Sequence, residues 1–211
     1  MRAPAVAIGL RAQKGGAVLV VVTLEADGPR AILSSFMPTC VEGDRLAFEP
    51  YGVAGECVRD GASAGDAATV VAEGRKRQDE AAAEGVRGVA ARFETQPVAA
   101  LLINRAGWIT DLFTYSLEWA EHVPVAEGLA VREALRAGCR SCGLDLVELD
   151  EKSLVDRAVT VLGLSAAEIE GRLKAMGIGK PWRKDQKLAC LAAWVTLVDR
   201  QPEIPLPLAH A

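Results

Sequence analysis

Short apolar runs alternate with turn-forming residues over the first forty positions of the chain. The runs cover residues 5–10, 17–24 and 30–36, are rich in Val, Ile and Leu, and are separated by Lys14-Gly15-Gly16 and Asp27-Gly28-Pro29. Val and Ile favour extended strands, and glycine permits the backbone of a tight hairpin turn. The pattern therefore predicts three antiparallel strands joined by two hairpins.

The spacing of apolar residues becomes helical after about residue 66. Residues 66–94 place Val71, Val86 and Phe93 on one face, which predicts a long amphipathic helix. Residues 98–103 are continuously apolar, as in a strand buried on both faces of a parallel sheet. Two further helices are predicted at 111–121 and 125–137, followed by a last strand at 144–149. The final third is predicted to be helical, with helices at 151–162 and 183–198 and one between them that opens with the capping pattern Ser165-Ala166-Ala167-Glu168.

Residues 37–65 show no convincing periodicity and contain Pro38, Pro50 and many Gly and Asp residues. They are predicted as a long loop, which in compact domains is typical of lids, binding loops or oligomer contacts. Tyr51, in Glu49-Pro50-Tyr51, is the residue expected to close over a cleft, and disorder is the alternative. The whole pattern predicts one domain over residues 1–200 and a loose, Pro-rich C-terminal tail over 201–211.

Composition narrows the class of protein. Half of the 211 residues are hydrophobic and the mean hydropathy is +0.17, which is enough for a full globular core. The 24 basic and 28 acidic residues give a net charge of −4, so there is no global attraction to nucleic acid or anionic lipid. With no apolar run near the roughly 20 residues of a membrane span and no leader pattern, a cytoplasmic protein without membrane contact is expected.

The five cysteines are odd in number and scattered, which favours free thiols in a reducing compartment. A zinc site is the alternative, with Cys139 and Cys142 as one pair of ligands and Cys40 and Cys57 as the other. The seventeen-residue spacing of the second pair argues against it. Catalysis through histidine has little support, because His122 and His210 are the two histidines present.

Three polar residues fall where strands and the last helix are predicted to meet. Gly9-Leu10-Arg11 closes the first strand, Asn104 follows Ile103 at the end of the fourth, and Asp185 opens the last helix. The order of elements resembles the RNase H-like superfamily, in its RuvC-type resolvase branch, over most of the chain. The resemblance implies an α/β fold: a mixed five-stranded sheet, three antiparallel strands followed by βαβα, with helices on its faces.

In that family an Asp ends the first strand, an acid ends the fourth, and one or two acids lie on the last helix. Together these acids hold divalent metals for phosphodiester hydrolysis. Here Arg11 and Asn104 stand in place of acids and Asp185 is the single match. One carboxylate cannot clamp two Mg²⁺ ions, and a neighbouring guanidinium opposes their binding, so neither a metal nor another cofactor is expected.

Asp185 continues the apolar stripe of its helix and is therefore predicted to face the sheet. An inward carboxylate needs a partner, and Arg11 is the natural candidate for a structural ion pair. The alternative is that Asp185 favours the helix start through the helix dipole.

Basic residues concentrate around Asp185: Arg172, Lys174, Lys180, Arg183, Lys184 and Lys187. We call these six residues the basic cluster. It suggests an anionic ligand or nucleic acid, with Lys184 and Lys187 as contact residues, and a plain solvated surface is the alternative.

These observations favour a catalytically degenerate RNase H-like domain that acts as a binding or scaffold protein, linked by analogy to nucleic-acid metabolism. One rival is an enzyme in which Asp185 joins Glu148 or Asp150 to hold one divalent metal or a phosphorylated ligand. A second rival is a structural homodimer whose long loop forms the interface.

Overall fold

The sheet begins with three strands joined by two-residue hairpins. A computed structural model describes residues 5–104 and 108–200 of the chain. In it β1 spans Val6–Gln13, β2 Gly16–Glu25 and β3 Gly28–Pro38, and each pairs antiparallel with the next. Gly15 lies in the first turn with a φ of 77°, a conformation that side chains with a Cβ rarely adopt. The predicted antiparallel meander is confirmed.

Two parallel strands complete the sheet on the other side of β1. The fourth strand, β4 (Val98–Ile103), lies parallel to β1, and β5 (Leu146–Asp150) lies parallel to β4. The strand order is β3-β2-β1-β4-β5, which makes β1 the central strand. The predicted mixed five-stranded α/β fold is therefore confirmed.

Helices cover both faces of this sheet. They are α1 (Arg45–Phe48), α2 (Pro50–Arg59), α3 (Ala64–Ala90), α4 (Leu112–Glu118), α5 (Val123–Ser141), α6 (Leu154–Leu162), α7 (Ala166–Ala175) and α8 (Lys184–Arg200), with one 3₁₀ turn at Ala120–His122. The predicted capping box at Ser165 and Glu168 opens α7. No helix within the described ranges is long and apolar enough to cross a membrane.

The sheet separates two apolar layers. On one face α6, α7 and α8 bury Leu154, Ile169 and Trp194 against the strands. On the other face α3 and α5 pack with the residues that point the opposite way from the same strands. The approach of α8 is very close at Gly9, where a Cβ would lie 1.8 Å from the carbonyl oxygen of Ala189. A glycine at this point of β1 is what lets α8 rest directly on the sheet.

The prediction of a loop over residues 37–65 is wrong for most of that range. Residues 45–59 form α1 and α2, and α3 begins at Ala64. Asp44 caps α1 through a hydrogen bond from the Ala47 amide, Pro50 lies in the first turn of α2, and Ser63 with Asp66 forms the capping box of α3. Asp, Pro and Ser are also typical of turns, which is why the sequence predicts a loop where these residues in fact start helices. The tail predicted at 201–211 lies outside the described residues.

Candidate functional site

The carboxyl ends of the three parallel strands bring polar residues to one edge of the sheet. Arg11 lies near the end of β1, Asn104 directly follows β4, and Glu151 directly follows β5. Asp185 lies in the first turn of α8, which packs on β1. In open α/β sheets this edge is where ligands commonly bind.

Arg11 joins two carboxylates at this edge. Its Nε and Nη2 each donate to an oxygen of Glu151 at 3.0 Å, and its Nη1 lies 3.0 Å from Oδ1 of Asp185. The predicted pair of Arg11 and Asp185 is confirmed. The hydrogen bond to Glu151 is also the main cause of the raised pKa of Arg11. All three side chains are partly buried, with 23%, 25% and 37% of their surfaces exposed for Arg11, Glu151 and Asp185.

Gln13 completes the arrangement, because its Nε2 donates to Oδ2 of Asp185 at 2.7 Å. Both carboxylate oxygens of Asp185 are thus occupied by donors from β1. We call Arg11, Gln13, Glu151 and Asp185 the Arg11 cluster. Glu151 and Gln13 were missed by the sequence analysis, although the position of Glu151 directly after the last strand was a usable signal.

Asn104 belongs to a second arrangement, on the α5 side of the edge. Its Oδ1 accepts a hydrogen bond from Nη1 of Arg132. Burial lowers the pKa of Arg132, and the nearby Arg136 lowers it further. Arg132 and Arg136 lie one turn apart on α5, a spacing that could have revealed them as a pair on one helix face.

The other predicted contact residues are not part of the Arg11 cluster. Lys184 is exposed and Lys187 half-buried, both on α8. Tyr51 is buried on α2, where it packs with Ala54 and Val71. It does not close over a cleft as a mobile loop residue, because it is part of a packed helix. Tyr51 and Asn104 nevertheless line the same cavity, of about 940 Å³, between α3, α4 and α5.

Of the acids named in the rival enzyme hypothesis, Glu148 does not approach Asp185. Glu148 pairs with Arg136 of α5, on the face of the sheet opposite α8 and Asp185. Asp150 accepts a hydrogen bond from the Lys152 amide at 3.1 Å. Within residues 5–104 and 108–200, no group of three or more His, Cys, Asp or Glu side chains is arranged to hold a metal ion. The four-cysteine zinc hypothesis is therefore wrong as well.

No protein-family model matches the sequence, and neither does any curated protein. Solved structures do match. The structure of T. thermophilus RuvC in complex with a Holliday junction substrate has a TM-score of 0.55 and 13% identity, over 94% of this chain and 96% of that one. A second Thermus thermophilus RuvC structure has a TM-score of 0.51 and 14% identity, over 93% and 96% of the two chains.

The sheet order and the helices on its faces give the chain an RNase H-like α/β fold. Both of these matching structures are of RuvC, so the chain has the RuvC-type form of this fold. At 13–14% identity the likeness concerns the fold, and function has to be argued from the site itself.

Proposed function

We propose that this protein binds nucleic acid through an RNase H-like fold without hydrolysing it. The observation that carries the proposal is the position of Arg11, whose guanidinium contacts both Glu151 and Asp185 at the carboxyl edge of the sheet. Two-metal hydrolysis needs free carboxylate oxygens on facing sides of a small space. Here a permanent cation holds these oxygens, and a divalent ion entering the same space would be repelled by it.

Unpaired positive charge near this edge supports binding. Within the described part of the chain, Lys180, Arg183, Lys184 and Lys187 form no ion pair, whereas Lys174 of the same basic cluster pairs with Glu170 at 2.8 Å. Free lysine and arginine side chains bind phosphate groups and release counterions from a nucleic acid. The basic cluster therefore offers the local attraction that the net charge of −4 does not provide.

Aromatic surface adds to this support. Trp108, beyond the end of β4, is 70% exposed, and Trp119 is 67% exposed. Exposed indole rings are rare because burial of such a side chain is favourable, and they are common stacking partners for unpaired bases. Since one structural neighbour was solved with a Holliday junction, branched DNA is the first substrate class to test.

The test measures binding and cleavage in the same samples. Labelled four-way junctions, duplexes and single strands are titrated with protein at two salt concentrations, with Mg²⁺ or Mn²⁺ present. We expect binding that weakens with salt, and no cleavage. Lys184→Gln and Lys187→Gln should weaken binding, whereas Lys76→Gln, on the exposed face of α3, should not.

Two results would contradict the proposal. One is the absence of binding to all three nucleic acids at low salt. The other is metal-dependent cleavage that disappears in Asp185→Asn, which would mean that Asp185 serves a metal in spite of Arg11.

A further inference from the structure

The cavity between α3, α4 and α5 is a feature that the proposed function does not use. Its volume of about 940 Å³ lies within the size range of small-molecule sites, and its described lining combines apolar and basic side chains. Val71, Leu112 and Phe113 supply apolar surface, and Arg75, Arg132 and Arg136 supply positive charge. It lies on the α3–α5 face of the sheet, opposite the helices that carry the basic cluster.

The charges in this cavity are unbalanced. Arg136 is neutralised by Glu133 and Glu148. The second acid among the described lining residues, Asp111, caps α4 by accepting hydrogen bonds from the Phe113 and Thr114 amides. Both lining carboxylates are therefore already used by other groups. Arg75 and Arg132 form no direct ion pair among the described residues, although Asp79 lies near Arg75 and Glu151 near Arg132.

Of the two arginines, Arg132 shows more clearly that an anionic partner is missing. It is half-buried, its Nη1 donates to Asn104, and its buried Nε has no hydrogen-bond acceptor among the described residues. A buried guanidinium without an anion is costly, because burial removes the hydration of the charge. Arg75 on α3 reaches the hydroxyl of Tyr51 from the other side of the cavity. An anion placed between the two arginines would balance both charges.

We propose that this cavity binds a small phosphorylated molecule whose phosphate oxygens are held by Arg75 and Arg132. A guanidinium presents several N–H donors in one plane, a geometry that suits tetrahedral phosphate oxygens. The apolar walls at Val71, Leu112 and Phe113 would then contact the uncharged body of the ligand. A ligand of nucleotide size fits the volume. The described lining of the site includes no residue of the basic cluster, so this proposal does not depend on nucleic-acid binding.

Isothermal titration calorimetry on the full chain tests this, with pyrophosphate and AMP as probes at low ionic strength. We expect saturable binding of at least one probe with one site per chain. Arg75→Gln and Arg132→Gln should each weaken it at least tenfold, because each removes charge-assisted hydrogen bonds. Arg183→Gln is the matched control, since it removes an exposed arginine of the basic cluster and should leave probe binding unchanged.

DNA affinity of the same variants distinguishes this site from the proposed nucleic-acid surface. Arg75→Gln and Arg132→Gln should bind a four-way junction as the unmodified protein does, whereas Arg183→Gln should bind it less tightly. If Arg132→Gln fails to fold, Arg75→Gln decides, because Arg75 is a half-buried residue on the cavity side of α3.

Several results would overturn the inference. These are no saturable binding of either probe, equal weakening by Arg183→Gln, or no effect of Arg75→Gln. Loss of DNA affinity in Arg75→Gln that matches its loss of probe affinity would also overturn it, since the cavity would then belong to the path of a nucleic acid.

Discussion

At the scale of single residues, Arg11 determines the chemistry available at the carboxyl edge. All three nitrogens of its guanidinium contact carboxylate oxygens: Nε and Nη2 contact the two oxygens of Glu151, and Nη1 contacts one oxygen of Asp185. Such planar, bidentate contacts are among the stronger hydrogen bonds in proteins. The same geometry leaves two carboxylates dependent on one cation, so the loss of Arg11 affects both of them.

We expect Arg11→Ala to lower the free energy of unfolding by about 1–3 kcal/mol, between the values for exposed and for buried ion pairs. The physical reason is that Glu151 and Asp185 are left as partly buried, unpaired neighbours of like charge. Urea denaturation measures the change. Arg30→Ala is the control, because Arg30 is 67% exposed in its pair with Glu25 and should cost nothing measurable.

A triple variant separates the stranded charge from simple loss of packing. Arg11→Met combined with Glu151→Gln and Asp185→Asn leaves no unpaired carboxylate and should cost less than Arg11→Ala alone. Equal costs for the single and triple variants would contradict this account.

Part of this cluster could be predicted from the sequence. The apolar stripe of α8 and the end of β1 were enough to predict the contact between Asp185 and Arg11. Glu151 was missed because strand β5 ends one residue later than the pattern indicates, at Asp150, and this shift decides which acid reaches the edge. The spacing on α5 could pair Arg132 with Arg136, but its contact with Asn104 could not be predicted, since that depends on how α5 packs beside β4.

Glu127 is a second residue with an unusual environment. It is 1% exposed, its Oε1 accepts hydrogen bonds from the Tyr51 and Gly52 amides at 2.9 Å, and its Oε2 has no partner among the described residues. Burial raises the pKa of this carboxyl from 4.5 to about 7, although the two amides act in the opposite direction. The side chain thereby anchors the first turn of α2 to α5.

This raised pKa predicts a pH-dependent stability. Between about pH 4.5 and 7 the folded protein retains a proton on Glu127 that the unfolded chain has lost. The stability from this group is therefore complete below about pH 4.5 and is lost as the pH rises through about 7, a fall of about 3 kcal/mol.

The measurement is urea denaturation at several pH values for the unmodified chain and for Glu127→Gln. The amide still accepts both backbone hydrogen bonds but does not titrate, so this part of the pH dependence should disappear. Glu84→Gln, on the exposed side of α3, should retain it. An unchanged profile in Glu127→Gln would show that the carboxyl is ionised in the folded protein.

At the scale of elements, α3 and α5 approach each other closely at Gly138. A Cβ at this position would lie 2.9 Å from the carbonyl carbon of Ala82 and 3.0 Å from its oxygen. Both are backbone atoms of α3, so the contact cannot be relieved by rotating a side chain. The small residue thus sets the distance between the two helices that cover this face of the sheet.

We expect Gly138→Ala to destabilise the protein by about 1–3 kcal/mol, because the added methyl group forces the helices apart. Gly128→Ala is the matched control on the same helix, since nothing lies within 4 Å of its added Cβ. It should stabilise by about 0.5–1 kcal/mol, through the smaller conformational freedom of alanine in the unfolded chain. Thermal unfolding of both variants tests this prediction. A change in Tm of the same sign in both variants would contradict the close packing at Gly138.

Elements with a clear apolar pattern could be predicted from the sequence, whereas short helices with a weak pattern could not. The strand at residues 98–103 was predicted with its observed bounds, because a run buried on both faces has no polar interruptions. Helices α1 and α2 were missed, since they are short and α2 contains Gly52 and Gly55 within its span. Their stability comes from packing on α3 and α5, and from the cap that Glu127 supplies. None of these contacts is local in sequence.

At the scale of the whole molecule, the fold places two acids at an edge where one cation already holds them together. This arrangement predicts a gain of metal binding. Arg11→Asp removes the cation and adds a third carboxylate beside Glu151 and Asp185, which is a donor set suited to Mn²⁺. We expect Mn²⁺ to raise the Tm of this variant and to leave that of the unmodified protein unchanged.

The control for this gain is the double variant Arg11→Asp with Asp185→Asn, in which the rise in Tm should be lost. An equal rise of Tm in the unmodified protein would instead mean that the Arg11 cluster opens readily to admit a metal. That result would also weaken the proposal that nucleic acid is bound without being cut.

β1 lies at the centre of the sheet, and the elements that cover it are far apart in the sequence, which matters while the chain is being translated. Its neighbour on one side, β2, follows after two residues, but its neighbour on the other side, β4, begins only at Val98. The helix that rests on Gly9 is α8, the last described element. As the ribosome extends the chain, the first hairpins can form early, yet one edge of β1 stays uncovered until β4 has emerged, and one apolar face until α8 has emerged. Until α8 has been synthesised, the nascent chain therefore exposes an apolar face of the sheet, and we expect chaperones that shield such surfaces to bind it.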